Sequence, residues 1–149
     1  MIIQKIKELG QVFTPKEVVK FMLDKADYIE NLRTSRILEP ACGDGAFLVE
    51  ILQRLINDCR GNLIEDRKII TIIQNTIYGY EIDKKVYNKC IKNLNKVLED
   101  NNLPLQVDWK RNILNTSFLN HNIRDKYDFI IGNPPYVSIQ NIPKEDNVY

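Results

Sequence analysis

Several things are scarce in this sequence, and each shortage narrows the reading. Its 149 residues hold three cysteines, one histidine and one tryptophan. Cys42, Cys59 and Cys90 are an odd set without a C-x-x-C pair. Neither a disulfide framework nor a structural zinc site is expected, and a reducing cytoplasm is the expected compartment. The one histidine, His121, falls in a polar loop and reads as solvated. Long apolar runs are missing too: residues 129–131 are typical of the longest, far below the ~20 residues of a membrane span. No basic start followed by an apolar stretch reads as a secretion signal. An excess of one charge is also lacking, with 21 Lys and Arg against 20 Asp and Glu, net +1. If nucleic acid is a partner, overall charge does not advertise it. Repeats, low-complexity tracts and Gly/Ser/Pro linkers are absent. With 44% hydrophobic and 28% charged residues, the chain has the makings of one domain with a real core, not of a collagen-like or disordered chain.

What is present alternates. Residues 1–10 form a short amphipathic stretch closed by Gly10. Thr14-Pro15-x-Glu17 opens a helix, with Thr14 as a capping residue, Pro15 in the first helical position and Glu17 in the acid-favouring first turn. Val18, Val19, Met22, Leu23 and Ala26 carry that helix to about Asp27. Residues 36–39 predict a strand, 40–45 a glycine-bearing turn, and 46–58 a helix with Phe47, Leu48, Ile51, Leu52 and Leu55 inward. The β-branched run 69–77 fits helix or strand, and its end, with Tyr78-Gly79-Tyr80-Glu81, reads as strand. Asp83 caps a helix to about Leu98. Residues 105–107 read as a third short strand and 127–131 as a fourth, buried one. Such alternation predicts an α/β fold with a parallel sheet and helices on both faces. Ligands bind beyond the carboxyl ends of such strands, and every unusual motif lies at such an end.

Three motifs carry the chemistry. Glu39-Pro40-Ala41-Cys42-Gly43-Asp44-Gly45 places two glycines where a strand turns into a helix, so that backbone N–H groups approach a ligand closely. An ordinary tight turn is the plainer reading. A dinucleotide fingerprint is disfavoured, because Leu48 stands where its third glycine belongs and the next strand-end acid, Glu81, comes too late. Tyr80-Glu81-Ile82-Asp83 offers a carboxylate able to accept both hydroxyls of a ribose and an apolar face, Ile82, for an adenine ring. Its plainer reading is a solvated Glu81 and a capping Asp83. Asn133-Pro134-Pro135-Tyr136 is the sharpest signal. Two prolines remove two N–H donors and fix the backbone, leaving the Asn133 side-chain oxygen and the Pro134 carbonyl as acceptors beside an aromatic face. That array suits a planar aromatic amine; the plainer alternative is a proline-rich strand exit.

With these residues in order, from the Thr-Pro segment (residues 11–15) through EPACGDG and YEID to IIGNPPY, the chain resembles the N6-adenine DNA methyltransferases of the γ arrangement, typical of bacterial restriction–modification systems. The resemblance covers about residues 10–136. It implies a Rossmann-like sheet of seven strands, S-adenosylmethionine as cofactor and double-stranded DNA as partner. By motif, Thr14 and Pro15 would flank the methionine end of the cofactor. Glu39, Pro40, Ala41, Cys42, Gly43 and Gly45 would hold its amino-acid portion, Glu81 the ribose and Ile82 the adenine. Asn112 stands where the family usually has an Asp after the third strand, an acceptor without charge. Asn133 and Pro134 would accept the two N–H groups of the target adenine, localising the lone pair for attack, while Pro135 fixes the loop and Tyr136 stacks on the flipped base. No metal is implied.

About four strands are countable where the family has seven, and the family's target-recognition domain is not seen. The expectation is therefore the N-terminal part of a methyltransferase domain, weak on DNA alone, with an exposed sheet edge able to self-associate. Two other readings stay open. One is an NPPY-type protein-glutamine or RNA methyltransferase, whose glycine motif reads more like D-x-G-x-G and follows a helical domain. The other is a non-catalytic cofactor-binding remnant or half of a split enzyme.

Overall fold

A computed structural model describes residues 13–120 and 125–133. The elements run α1 (Lys16–Lys25), a 3-10 turn (Leu32–Thr34), β1 (Ile37–Glu39), α2 (Ala46–Gly61), α3 (Asp66–Thr76), β2 (Ile77–Tyr80), α4 (Lys84–Asp100), the single turn α5 (Trp109–Asn112), β3 (Ile113–Leu114), a second 3-10 turn (Phe118–Asn120) and β4 (Phe129–Ile130). The four strands lie in the order β3-β2-β1-β4. Every pairing is parallel, with Ile37 opposite Ile77 and Phe129, and Gly79 opposite Ile113. The sequence order reverses at β1, between β2 and β4. This is the crevice where ligands bind in open α/β sheets.

Burial drives the arrangement. Leu48, Ile51, Leu52, Leu55 and Ile56 of α2 are fully buried, as are Ile69 and Ile73 of α3 and Leu94 and Leu98 of α4. Each such side chain contributes about 1.5–3 kcal/mol of transfer free energy. Two arginines then set the angles of flanking elements. Arg54 on α2 meets Asp24 at 2.8 Å and Glu50 at 3.1 Å and donates to the carbonyls of Tyr28 and Lys20, which fastens α1 to α2. Arg36 fastens β4 to β1. Its backbone N–H donates to Asp128 at 2.7 Å, its guanidinium donates to the Lys126 carbonyl, and the group lies 4.7 and 5.1 Å from the Tyr78 and Tyr127 rings.

Three sequence expectations change here, the first being burial of the fourth strand: β4 is only Phe129–Ile130, and Ile130 is 64% exposed. Residues 105–107 form no strand; Pro104 and the exposed Leu105 lie in irregular chain. The third strand is Ile113–Leu114, hidden behind the turn α5 and too short to show a period of two. Nor does Thr14 cap α1: the cap position falls to Pro15 and no side chain caps the helix. Among the described residues no helix is long and apolar enough to cross a membrane.

Candidate functional site

The carboxyl ends of β1, β2 and β4 deliver their residues to one place. Glu39 ends β1 and is 2% exposed. Its Oε1 accepts the Ala41 N–H at 3.1 Å across the bend made by Pro40. From there the chain turns tightly, with Gly45 donating to the Cys42 carbonyl and Cys42 donating to the Tyr80 carbonyl of β2. Gly43 (φ 58°) and Gly45 (φ 93°) take left-handed conformations that glycine adopts without penalty. At Gly45 a side chain is also excluded by space, since a Cβ would stand 2.9 Å from Cys90 Sγ. Cys42 and Cys90 are free and buried, with their sulfurs 4.0 Å apart beneath the turn.

Glu81 leaves β2 and spans two loops. Its Oε2 accepts the Gly43 N–H and its Oε1 the Asp83 N–H, both at 2.9 Å. Asp83 caps α4 as expected, accepting from the Lys85 and Val86 N–H groups. Ile82, between them, turns an apolar side chain to the outside at 59% exposure. Asn133 follows β4, and its amide donates to Thr14 Oγ1 at 3.4 Å. The hydroxyl expected to cap a helix is instead the group that orients this amide. Phe13, Thr14, Glu39, Cys42, Gly43 and Asn133 line one cavity of about 30 Å³. Pro15 sits at the head of α1 behind Thr14. Pro134, Pro135 and Tyr136 lie outside the described residues.

Asn112 does not join this group. It precedes β3, at the opposite end of the sheet, where its amide donates to the carbonyls of Gln74 and Ile77 and its oxygen accepts from the Gln74 side chain. Its role is to tie the end of α3 and the start of β2 to β3. The residue that does leave β3 on the site's side is Asn115, donating to the carbonyls of Glu81 at 2.9 Å and Ile82 at 3.2 Å. Sequence reasoning misses it because it puts the strand elsewhere; its signal is the first polar side chain after the apolar pair. Gly132 is missed as well. It packs on the Glu39 carboxyl so closely that a Cβ there would stand 2.1 Å from Oε1.

Burial dominates the electrostatics. It pushes the Glu39 carboxyl up to about 8; the Ala41 N–H opposes the shift and the Glu81 carboxyl adds to it. Burial also raises Glu81, against the N–H groups of Asp83 and Gly43. A buried acid that prefers to be neutral stabilises the fold fully below its unfolded value near 4.5. That stability is lost as pH climbs through the folded value near 8, at up to about 1.4 kcal/mol per pH unit. Thermal melts from pH 5 to 8 should show this decline, and Glu39→Gln should flatten it and be the more stable protein at pH 8. Equal slopes for the two proteins would reject the assignment.

The donor set has a chemical preference. Glu39 and Asp44 line the small cavity and Glu81 ties its turn, while the cation beside its wall, Lys89, is taken up by Asp44 at 3.9 Å and the Phe13 ring at 5.8 Å. Such a set favours a ligand with positive charge and hydroxyls to donate. S-adenosylmethionine, which carries an ammonium, a sulfonium and a ribose diol, fits it.

Comparison with known proteins agrees with this architecture. The family model described as N-6 DNA Methylase matches residues 2–149. The Type II methyltransferase M.PaeR7I of Pseudomonas aeruginosa is 34% identical over 144 residues, covering 90% of this chain and 24% of that protein. The Type II methyltransferase M.BstVI of Geobacillus stearothermophilus is 31% identical over 145 residues, covering 91% and 26%. The chain thus spans about a quarter of the length of these relatives. Among solved structures, the cryoEM structure of a DrdV–DNA complex superposes with a TM-score of 0.54 at 21% identity, over 73% of this chain and 10% of that one. That likeness speaks for the Rossmann-like fold, of which four parallel strands are seen among the described residues. On the match of the family model along nearly its whole length, this chain belongs to the N-6 DNA methylase family.

Proposed function

We propose that the chain is the cofactor-binding and catalytic segment of an S-adenosylmethionine-dependent DNA methyltransferase that modifies the N6 amine of adenine in a restriction–modification system. The observation that carries the reading is the meeting of Asn133 with Thr14 and Glu39 at the β1–β4 crevice, beside a turn tied by Glu81. S-adenosylmethionine supplies an electrophilic methyl group on its sulfonium sulfur. Glu39 and the 40–45 turn hold its amino-acid end, Glu81 its ribose, and Ile82 covers its adenine.

Asn133 performs the polar part of the chemistry. Thr14 engages the amide nitrogen and thereby turns Oδ1 toward an incoming donor. An exocyclic amine is a poor nucleophile while its lone pair is spread into the ring. Accepting one N–H at Asn133 Oδ1 and the other at the Pro134 carbonyl draws the nitrogen toward a tetrahedral shape and stabilises the charge that develops on it. Tyr136 stacks on the extruded base and replaces part of its lost stacking. DNA contacts beyond that base belong to a recognition domain, since a chain of net charge +1 neutralises few phosphates. A cytoplasmic location follows from this role. The form of the EPACGDG turn and the Thr-Pro segment favour DNA over a protein-glutamine or RNA substrate.

The test is transfer of labelled methyl from S-adenosylmethionine to duplexes with and without adenine, followed by nucleoside analysis. N6-methyladenine is the expected product; label in protein or RNA alone would overturn the reading. Glu81→Ala should weaken cofactor binding by roughly ten- to a hundredfold, the scale of charge-assisted hydrogen bonds. Calorimetric titration checks this, and an unchanged dissociation constant would remove Glu81 from the site.

A further inference from the structure

We propose that Glu39 reads the charge of whatever fills the cavity at the β1–β4 crevice, and that a cationic group enters only as this carboxyl gives up a proton. The proposal rests on the cofactor reading above and concerns how that ligand is admitted.

Position makes the case. The Glu39 carboxyl is 2% exposed, lies flush against the Gly132 backbone and, among the described residues, accepts one hydrogen bond, from Ala41. The groups facing it from each neighbouring element are neutral or acidic. Its own loop brings the Cys42 thiol and Asp44; β2 brings Glu81; α4 brings the Cys90 thiol behind Cys42. Beyond β4 stand Gly132 and Asn133, the approach to α1 brings Phe13 and Thr14, and α2 begins with Ala46 and Phe47, all uncharged. Lys89 of α4 is exposed, pairs with Asp44 at 3.9 Å and lies over the Phe13 ring at 5.8 Å, so a cation stands beside two residues of the cavity wall. Among the described residues no cation pairs with Glu39.

A buried carboxyl with one N–H partner and acidic neighbours is held neutral by desolvation, in line with its rise to about 8. A cation entering the cavity reverses the balance, because it favours the ionised form at close range. Glu39–COOH then becomes Glu39–COO⁻ beside the ligand, the proton passes to solvent, and the net charge buried in the cavity is unchanged. A neutral ligand gains no such partner and leaves the proton in place.

The experiment is calorimetric titration of S-adenosylmethionine into the full chain at pH 6.5, in three buffers of different ionisation enthalpy. At that pH the ligand's α-amino group, with a reference pKa near 8, is already protonated, so a released proton comes from the protein. The observed heat should vary linearly with buffer enthalpy, with a slope close to one proton released, and affinity should rise about tenfold from pH 6 to pH 7. Glu39→Gln should bind more weakly, with neither the slope nor the pH dependence. Equal heats in all buffers would overturn the proposal and leave the cofactor reading standing, as would an unchanged slope in Glu39→Gln. No binding between pH 6.5 and 8 would overturn both.

Discussion

Asn133→Ala should lower methyl transfer by a hundredfold or more, the usual cost of deleting one preorganised group that stabilises developing charge. Cofactor affinity should stay within about twofold, because the polar atoms of Asn133 act on the target amine even though its side chain lines the cavity. The structure makes this separation sharp. Among the described residues Asn133 is held by a hydrogen bond to Thr14, whereas Glu39 accepts from Ala41 and Glu81 from Gly43 in the cofactor turn. Single-turnover methyl transfer and calorimetry on the same preparation measure the two effects. Equal turnover by mutant and wild type on an adenine-containing duplex would remove Asn133 from the reaction; a large loss of affinity would make it a cofactor residue.

The second large effect is expected at a residue with no side chain. A methyl group at position 132 would meet Glu39 Oε1 at 2.1 Å, Cδ at 2.5 Å and Oε2 at 2.7 Å. The carboxyl has nowhere to swing, since it is buried and held by the Ala41 N–H. Either Glu39 is forced from the crevice or β4 is lifted from β1. Overpacking of this kind costs about 1–3 kcal/mol, which lowers the melting temperature of a domain this size by roughly 3–10 °C. Gly132→Ala should show that drop together with at least tenfold weaker cofactor binding. Glu39→Ala added to Gly132→Ala makes room for the methyl group, so the double variant should melt higher than additivity predicts. Additive melting temperatures would show that the two positions do not collide.

Long periodic segments are legible in the sequence itself, because burial in α2 (Leu48, Ile51, Leu52, Leu55) and α4 (Tyr87, Cys90, Leu94, Val97, Leu98) follows a 3.6-residue spacing. The acid that caps α4 is legible too, since its short side chain reaches N–H groups two and three residues on wherever the rest of the chain goes. Ile113–Leu114 is not: a strand of two residues has no period, and its identity comes from pairing with Gly79 and Tyr80, a long-range contact that leaves no local mark. The misplacement of Asn112 follows from that one error, because a residue on the wrong side of a short strand moves to the other end of the sheet. Gly132 illustrates another limit. Its need to be glycine arises from the Glu39 carboxyl, distant in sequence. Thr14 stands one residue before the cap position of α1, and the claim of Asn133 on its hydroxyl depends on how β4 docks.

That docking also fixes an order of events during synthesis. β1 lies between β2 and β4, and β4 leaves the ribosome well after β2: the hydrogen bond from Arg36 to Asp128 closes a separation of 92 residues. The β1–β2 half, with the glycine turn and Glu81, is complete while Phe129 is still unmade. Closing the longer loop costs only a little more chain entropy, but it must wait for translation. Gly132, whose backbone lies against the Glu39 carboxyl in the folded chain, arrives with β4 and closes that side of the acid. Of these three features, the acidic loops are therefore made first, and the sealed environment of Glu39 and the placement of Asn133 follow with β4.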